Sequence, residues 1–162
     1  MTRKPPTTAA TQALDRLGLR YTAHPYEHDR FVAGYGLEAA RELGAPPERV
    51  FKTLVADADG RLVVAVVPVS AMLDLKSLAA AVGGKRATMA RPDVAERRTG
   101  YVVGGISPFG QRTRLPTVLD ASAERFPTIY VSGGRRGFDI ELAPRDLLAA
   151  TDGTTAAIGV PR

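Results

Sequence analysis

Two runs of β-forming residues face each other across a tight turn. Val50-Phe51-Lys52-Thr53-Leu54-Val55-Ala56 comes first, Asp57-Ala58-Asp59-Gly60 follows, and Leu62 to Val67 is strongly apolar. Asp-Gly between two such runs is a strong local signal for an antiparallel hairpin, because both residues tolerate the left-handed backbone that a two-residue turn requires. The hairpin puts a sheet at the centre of whatever this chain folds into.

The remaining punctuation supplies the other elements. Thr7 and Thr8 precede a helix-forming run from Ala9 to Leu17 that Gly18 closes, which predicts a capped first helix. Leu19 to Ala23 reads as a strand that Pro25 ends. Gly36 to Leu43, closed by Gly44, reads as a helix, and Pro46 to Arg49 as one helical turn opened by proline. Further helices are predicted at Leu73–Val82, Pro92–Arg97, Ala121–Arg125 and Ala143–Ala150. Further strands are predicted at Lys85–Met89, Thr117–Leu119, Thr128–Ser132, Phe138–Leu142 and Thr155–Val160. Strands and helices alternate irregularly around one clear hairpin, which predicts a single mixed α/β (α+β) domain over 1–162, with residues 1–6 flexible.

Composition narrows the chemistry. The 162 residues contain no cysteine, which removes disulfides, thiolate metal sites and a protein thiol nucleophile. No run is long and apolar enough for a membrane span, and Met1-Thr2-Arg3-Lys4 leads into Pro5-Pro6 rather than an apolar stretch. The expectation is therefore a cytoplasmic protein with no membrane partner. The net charge of +5 favours polyanionic partners, although an Arg-rich chain can also simply carry a solvated basic surface.

The usual catalytic signatures are missing. His24 and His28 are four apart, but Pro25 lies between them and no third ligand cluster is present, so no metal is expected. There is no Gly-x-Ser-x-Gly elbow. Gly133-Gly134-Arg135-Arg136-Gly137 lacks the lysine of a P-loop, and Gly100 to Gly105 does not open a helix as a dinucleotide fingerprint does; no cofactor is expected. What remains is Lys52 within an apolar strand, either an edge lysine that snorkels or a site residue. Beside it stands the pair Gly104-Gly105, which follows an apolar, strand-like Tyr101-Val102-Val103. Such a pair is either a plain tight turn or a place where main-chain N–H groups meet a carbonyl or oxyanion.

Several segments together resemble one family. Phe51-Lys52-Thr53-Leu54, Gly100-Tyr101-Val102-Val103-Gly104-Gly105-Ile106-Ser107-Pro108, Arg114-Leu115-Pro116-Thr117, Tyr130-Val131-Ser132-Gly133-Gly134 and Gly137-Phe138-Asp139-Ile140-Glu141-Leu142 look like the YbaK-type deacylases. These are free-standing relatives of the editing domain of bacterial prolyl-tRNA synthetase. Tyr26-Glu27-His28-Asp29 fits the same pattern. The resemblance runs from about Thr7 to about Val160. It implies a curved, mixed, mostly antiparallel sheet surrounded by helices, and hydrolysis of misacylated tRNA, characteristically Cys-tRNA(Pro). The implied partners are tRNA and prolyl-tRNA synthetase in a transient ternary complex.

Carried over by position, the resemblance makes Lys52 the essential lysine and Gly104 the loop glycine whose backbone binds the aminoacyl carbonyl. It makes Tyr26, Tyr35, Gly105, Ser132 and Asp139 substrate-binding positions; Tyr35 stands where relatives carry an aromatic residue, often Phe. It also implies that the substrate's own thiol attacks its ester, which suits a chain without cysteine. Arg91, Arg97, Arg98, Arg112, Arg114, Arg135 and Arg136 flank these loops and are candidates for phosphate contacts. Alternative readings are a deacylase for another misacylated tRNA such as Ala-tRNA(Pro), a non-catalytic tRNA- or synthetase-binding module, and a lysine Schiff-base enzyme.

Overall fold

In the computed structural model, which describes residues 5–27 and 35–162, the hairpin is the longest strand pair. Its strands are β2 (Phe51–Ala58) and β3 (Arg61–Pro68), as numbered along the chain below, and the register runs from Phe51↔Pro68 to Ala58↔Arg61. The loop is Asp59-Gly60 alone, with φ of +52° and +89°, the mirror-image turn whose twist matches the flanking strands. Both strand faces are covered. Val64 and Val66 belong to one core cluster and Val63, Ala65 and Val67 to another, which is why the second run carries no polar residue between Leu62 and Pro68.

The full order is α1 (Ala9–Arg16), β1 (Thr22–Pro25), α2 (Tyr35–Leu43), β2, β3, β4 (Ala71–Leu73), α3 (Leu75–Ala81), β5 (Ala87–Met89), α4 (Pro92–Thr99), β6 (Thr117–Asp120), β7 (Ile129–Arg135), β8 (Phe138–Leu142), α5 (Pro144–Thr151), β9 (Thr154–Ala156) and β10 (Gly159–Pro161). Single 3-10 turns occupy Pro47–Arg49 and Ala121–Arg125. The strands form a mixed five-stranded sheet in the order β5-β2-β3-β6-β9, a three-stranded antiparallel sheet β1-β8-β7, and the pair β10-β4. A parallel bridge between Val50 and Tyr130 joins the first two. The mixed α+β class and the predominance of antiparallel pairing are as the sequence implies, but the strands divide into three ladders rather than one continuous sheet.

Local chemistry explains the boundaries. Thr8 caps α1 by accepting from the Thr11 N–H at 3.2 Å, while the Thr11 hydroxyl stands 2.9 Å from the Thr8 N–H. Pro25 ends the first strand as its last residue, paired with Phe138, which β1 tolerates as an edge strand with its outer side unpaired. The single terminal strand expected at Thr155–Val160 is two strands, β9 along β6 and β10 along β4. Asp120 fixes the crossover by accepting from the N–H groups of Ile158 (2.9 Å) and Gly159 (2.8 Å). Tyr101-Val102-Val103 is not a strand: Val102 and Val103 are exposed, and the Gly105 N–H donates to the Val102 carbonyl at 2.8 Å to close a turn. No helix among the described residues is long and apolar enough to cross a membrane. Residues 1–4, His28 and Asp29 lie outside the described residues, as does the side chain of Tyr35.

Candidate functional site

The ladder along the outer edge of β2 has a gap, and the gap is a cavity. At one end Val50 bridges to Tyr130 of β7. At the other, β5 pairs only with Ala56 to Ala58, and the Ala90 N–H reaches the Val55 carbonyl at 3.1 Å. Between them a cavity of about 360 Å³ opens along residues 50–55, walled by the start of α4, the loop at Val103–Ile106, and the ends of β7 and β8. It is large enough for a small organic group and is lined mostly by apolar side chains.

Of the residues singled out from the sequence, Tyr26, Lys52, Gly104, Ser132 and Asp139 line this one cavity. Gly105 does not. A Cβ there would stand 2.8 Å from the Arg135 Cα and 2.9 Å from the Arg136 nitrogen, so this glycine serves the close approach of the loop to the β7–β8 turn. Gly104 has φ of +93°, a conformation that side chains disfavour. Its neighbours' amides are committed, Val103 to Glu96 Oε2 at 2.8 Å and Gly105 to Val102, and its own makes no hydrogen bond among the described residues.

Lys52, the second residue of β2, stands half-buried, and its ammonium makes no ion pair among the described residues. Burial lowers its pKa, and the charge of Arg162, which lines the same cavity, lowers it further. Arg162 arrives there because β10 runs antiparallel to β4, with Pro161 opposite Ala71.

Asp139 is 5% exposed and its carboxyl makes no hydrogen bond among the described residues; burial alone pushes that carboxyl up to about 7. Tyr26, also buried, has its phenol pushed well above the usual range by desolvation and then by the Asp139 charge. Ser132 is opposite Asp139 in the β7–β8 ladder, where the register shifts, and its hydroxyl accepts from the Gly134 N–H at 3.2 Å. Across this face, Glu38 of α2 is 3% exposed and pairs with Arg136 at 3.1 Å, so Arg136 ties α2 to the β7–β8 turn. The other six flanking arginines are exposed; Arg91 and Arg114 pair with Asp93 and Asp152 at the surface.

Two lining residues with polar side chains were not read as site residues from the sequence. Arg162 lies 110 positions from Lys52, beyond what spacing can relate. Thr53 shares the buried strand face with Phe51 and Val55, and a hydroxyl on such a face is the signal that could have found it. A broader surface groove of about 940 Å³ runs along α1, β1 and α5, and none of the candidate site residues lines it.

A mostly apolar cleft with a cation at its rim, an unengaged main-chain amide and an uncompensated carboxylate suits a small charged organic ligand. Residues 35–150 match the model of the aminoacyl-tRNA editing domain, and the chain belongs to that family. It is 44% identical over 120 residues to EbsC of Enterococcus faecalis, provisionally described as a Cys-tRNA(Pro)/Cys-tRNA(Cys) deacylase, covering 74% of this chain and 73% of that one. It is 34% identical over 87 residues to the multifunctional Ser/Thr-tRNA deacylase ProXp-y of Escherichia coli, covering 53% of this chain and 52% of that one. A crystal structure of a proposed trans-editing enzyme for prolyl tRNA synthetase superposes with a TM-score of 0.79 at 27% identity, covering 94% of this chain and 95% of that one. The hypothetical protein APE2540 superposes with a TM-score of 0.85 at 25% identity, covering 94% of this chain and all of that one.

Proposed function

We propose that this protein is an aminoacyl-tRNA deacylase that clears misacylated tRNA in trans, with Cys-tRNA(Pro) as its characteristic substrate. The observation that carries the reading is the convergence of Lys52, Gly104, Tyr26, Ser132 and Asp139 on one small cavity whose lining, among the described residues, includes no histidine and no cysteine. The described residues of such a site can bind and stabilise charge, but they do not include the paired base that activates a serine nucleophile. A nucleophile that arrives on the substrate fits that inventory.

In this reading the cysteine thiol gives up its proton and attacks the carbonyl carbon of its own ester. The C–S bond forms, the bond to the terminal ribose oxygen breaks, and the proton ends on the released ribose hydroxyl. The strained cyclic thioester that remains is opened by water. The Gly104 N–H faces the developing oxyanion, a contribution worth about 3 kcal/mol per donor in comparable sites. Asp139 takes the α-ammonium group, and the neutral Tyr26 phenol, whose pKa burial and Asp139 raise further above its ordinary value, closes that side. Lys52 at the rim holds the 3′-terminal phosphate or ribose and so orients the ester. The protein acts on tRNA in a transient complex that includes prolyl-tRNA synthetase, and its site of action is the cytoplasm, where mischarging occurs.

The relatives named for Cys and for Ser/Thr substrates support the class, and both kinds of amino acid carry a heteroatom on the β-carbon. The test is loss of label from Cys-, Ser- and Ala-tRNA(Pro) with the protein alone. Rapid release of cysteine is expected, and Lys52→Ala should abolish it while the folded state persists by circular dichroism. Binding of tRNA without release of any amino acid would overturn the deacylase reading in favour of a binding module. Full activity of the Lys52→Ala variant would remove the lysine from the reaction.

A further inference from the structure

Among the described residues, the Thr53 hydroxyl is a fully buried side-chain polar atom without a hydrogen-bond partner. Native proteins rarely leave such an atom unpaired, because it surrenders its water and gains nothing in return. A valine of the same shape would pack in this place without that penalty. Thr53 is 9% exposed and lines the cavity beside Lys52.

Its position is set by the strand. The Val50 carbonyl accepts from the Val69 N–H at 2.8 Å on the β3 side, and the Val55 carbonyl accepts from Ala90 on the opposite edge. Two-residue alternation therefore places the main-chain groups of Thr53 on the edge shared with Val55. That edge is open between the Val50 bridge and the Val55 bond, where the cavity lies. Thr53 thus occupies the missing rung: its main-chain groups face the gap, and the residue carrying the unpaired hydroxyl lines the cavity. Of the other uncompensated polar groups of the cavity, the Asp139 carboxylate suits an ammonium and the Gly104 N–H and Lys52 suit oxygen atoms of the ester and phosphate, so the hydroxyl is left for a different part of the ligand.

We propose that the Thr53 hydroxyl reads the aminoacyl side chain: it hydrogen-bonds a thiol or hydroxyl on the β-carbon and thereby separates cysteine and serine from alanine. The proposal rests on the deacylase reading for its ligand and deepens it by naming the residue that sets side-chain preference. A buried polar group that pairs only with the correct ligand discriminates strongly, since a ligand without the matching group leaves it unpaired.

The test compares Thr53→Val, Thr53→Ser and wild type. The probes are the non-hydrolysable amides 3′-cysteinylamino-, 3′-serylamino- and 3′-alanylamino-3′-deoxyadenosine, with Kd measured by calorimetry. Deacylation of the three corresponding tRNA esters is followed in parallel. Thr53→Val should be at least as thermally stable as wild type, yet its preference for the cysteinyl over the alanyl probe should fall about tenfold. Thr53→Ser should keep that preference. Should Thr53→Val fail to fold, Thr53→Ala, which removes the hydroxyl and adds nothing, is read in the same way. An unchanged preference in the hydroxyl-free variant overturns the proposal, as does a wild-type protein that binds the three amides equally. If wild type hydrolyses no ester but prefers the cysteinyl and seryl amides through Thr53, the reaction is wrong and the recognition stands.

Discussion

Asp139 and Glu141 stand two residues apart on β8 and so project from the same face of one sheet, yet the fold treats them oppositely. Around Glu141 everything is compensated. Thr128 donates its hydroxyl at 2.5 Å, His24 Nε2 lies at 2.7 Å and an Arg49 amino group at 3.2 Å. Burial alone would raise the Glu141 pKa, but the hydrogen bonds of Thr128 and His24 and the charges of His24 and Arg49 outweigh it and bring it below the ordinary value. Arg49 also donates to the Thr128 carbonyl at 2.8 Å and lies over the Tyr130 ring, so this cluster fastens the turn before β2 to the three-stranded sheet. One register step away Asp139 is more deeply buried and has no such company. The first carboxylate is a structural fastening. The second is a cost that the fold alone does not recover, and it borders the cavity.

That contrast is most directly broken by neutralising each carboxylate in turn. Asp139→Asn should lower kcat/KM for deacylation about 100-fold, the scale of one charge-assisted hydrogen bond to a buried ammonium, without destabilising the protein. Glu141→Gln should do the reverse, costing about 1–3 kcal/mol in urea unfolding and leaving the activity of the folded fraction near wild type. Equal loss of activity in both variants would make the two carboxylates parts of one network and end the distinction.

The pH dependence of stability sharpens it further. The folded pKa of Asp139, about 7, lies above its ordinary value of 3.8, so between those limits the native state holds a proton that the unfolded chain has released. The stability from this group is complete below about pH 4 and is lost as pH rises through about 7. The stability of Asp139→Asn relative to wild type should therefore climb by a few kcal/mol from pH 4 to pH 8 and then level off. Glu141, with its pKa lowered, has the opposite sign: its contribution is lost as pH falls through its folded value, so Glu141→Gln should lose its disadvantage in acid. Parallel pH curves for wild type and Asp139→Asn would mean that the Asp139 carboxyl is solvated.

The parts of this arrangement that were legible in the sequence are those in which one residue type has one physical use. Asp59-Gly60 could only turn a hairpin, Thr8 could cap, and Lys52 was conspicuous in an apolar strand. Gly104 and Gly105 look alike in sequence, and only three dimensions separate the one bordering the cavity from the one pressed against the Arg135 backbone. The strands β4 and β10, three residues each, are too short for any periodicity, and they exist because each has the other to pair with. Val102 and Val103 satisfied strand chemistry but lie on a turn, since the Gly105 amide closes back on Val102 before a ladder can form. Whether a carboxylate is compensated could not be read at all. Phe138-Asp139-Ile140-Glu141-Leu142 is a clean alternation, and the difference between its two acids comes from Arg49, Thr128 and His24, which are distant in sequence.

The smallest expected effect concerns the cations. Arg49 and His24 are held by Glu141, whereas Lys52 and Arg162 line the cavity with no ion-pair partner among the described residues, and each charge opposes the other. Two like charges left facing one opening are relieved by an anion, and the phosphodiester next to an acylated terminal ribose is one. Arg162→Gln should raise KM for aminoacyl-tRNA about two- to threefold. It should flatten the dependence of log(kcat/KM) on log salt by about 0.7, the increment for one phosphate contact on a single strand. With an aminoacyl-adenosine ester, which lacks that phosphate, wild type and variant should be indistinguishable. A variant with an unchanged salt slope on tRNA would return Arg162 to the solvated surface and leave Lys52 as the sole cation that the described residues of the cavity offer its ligand.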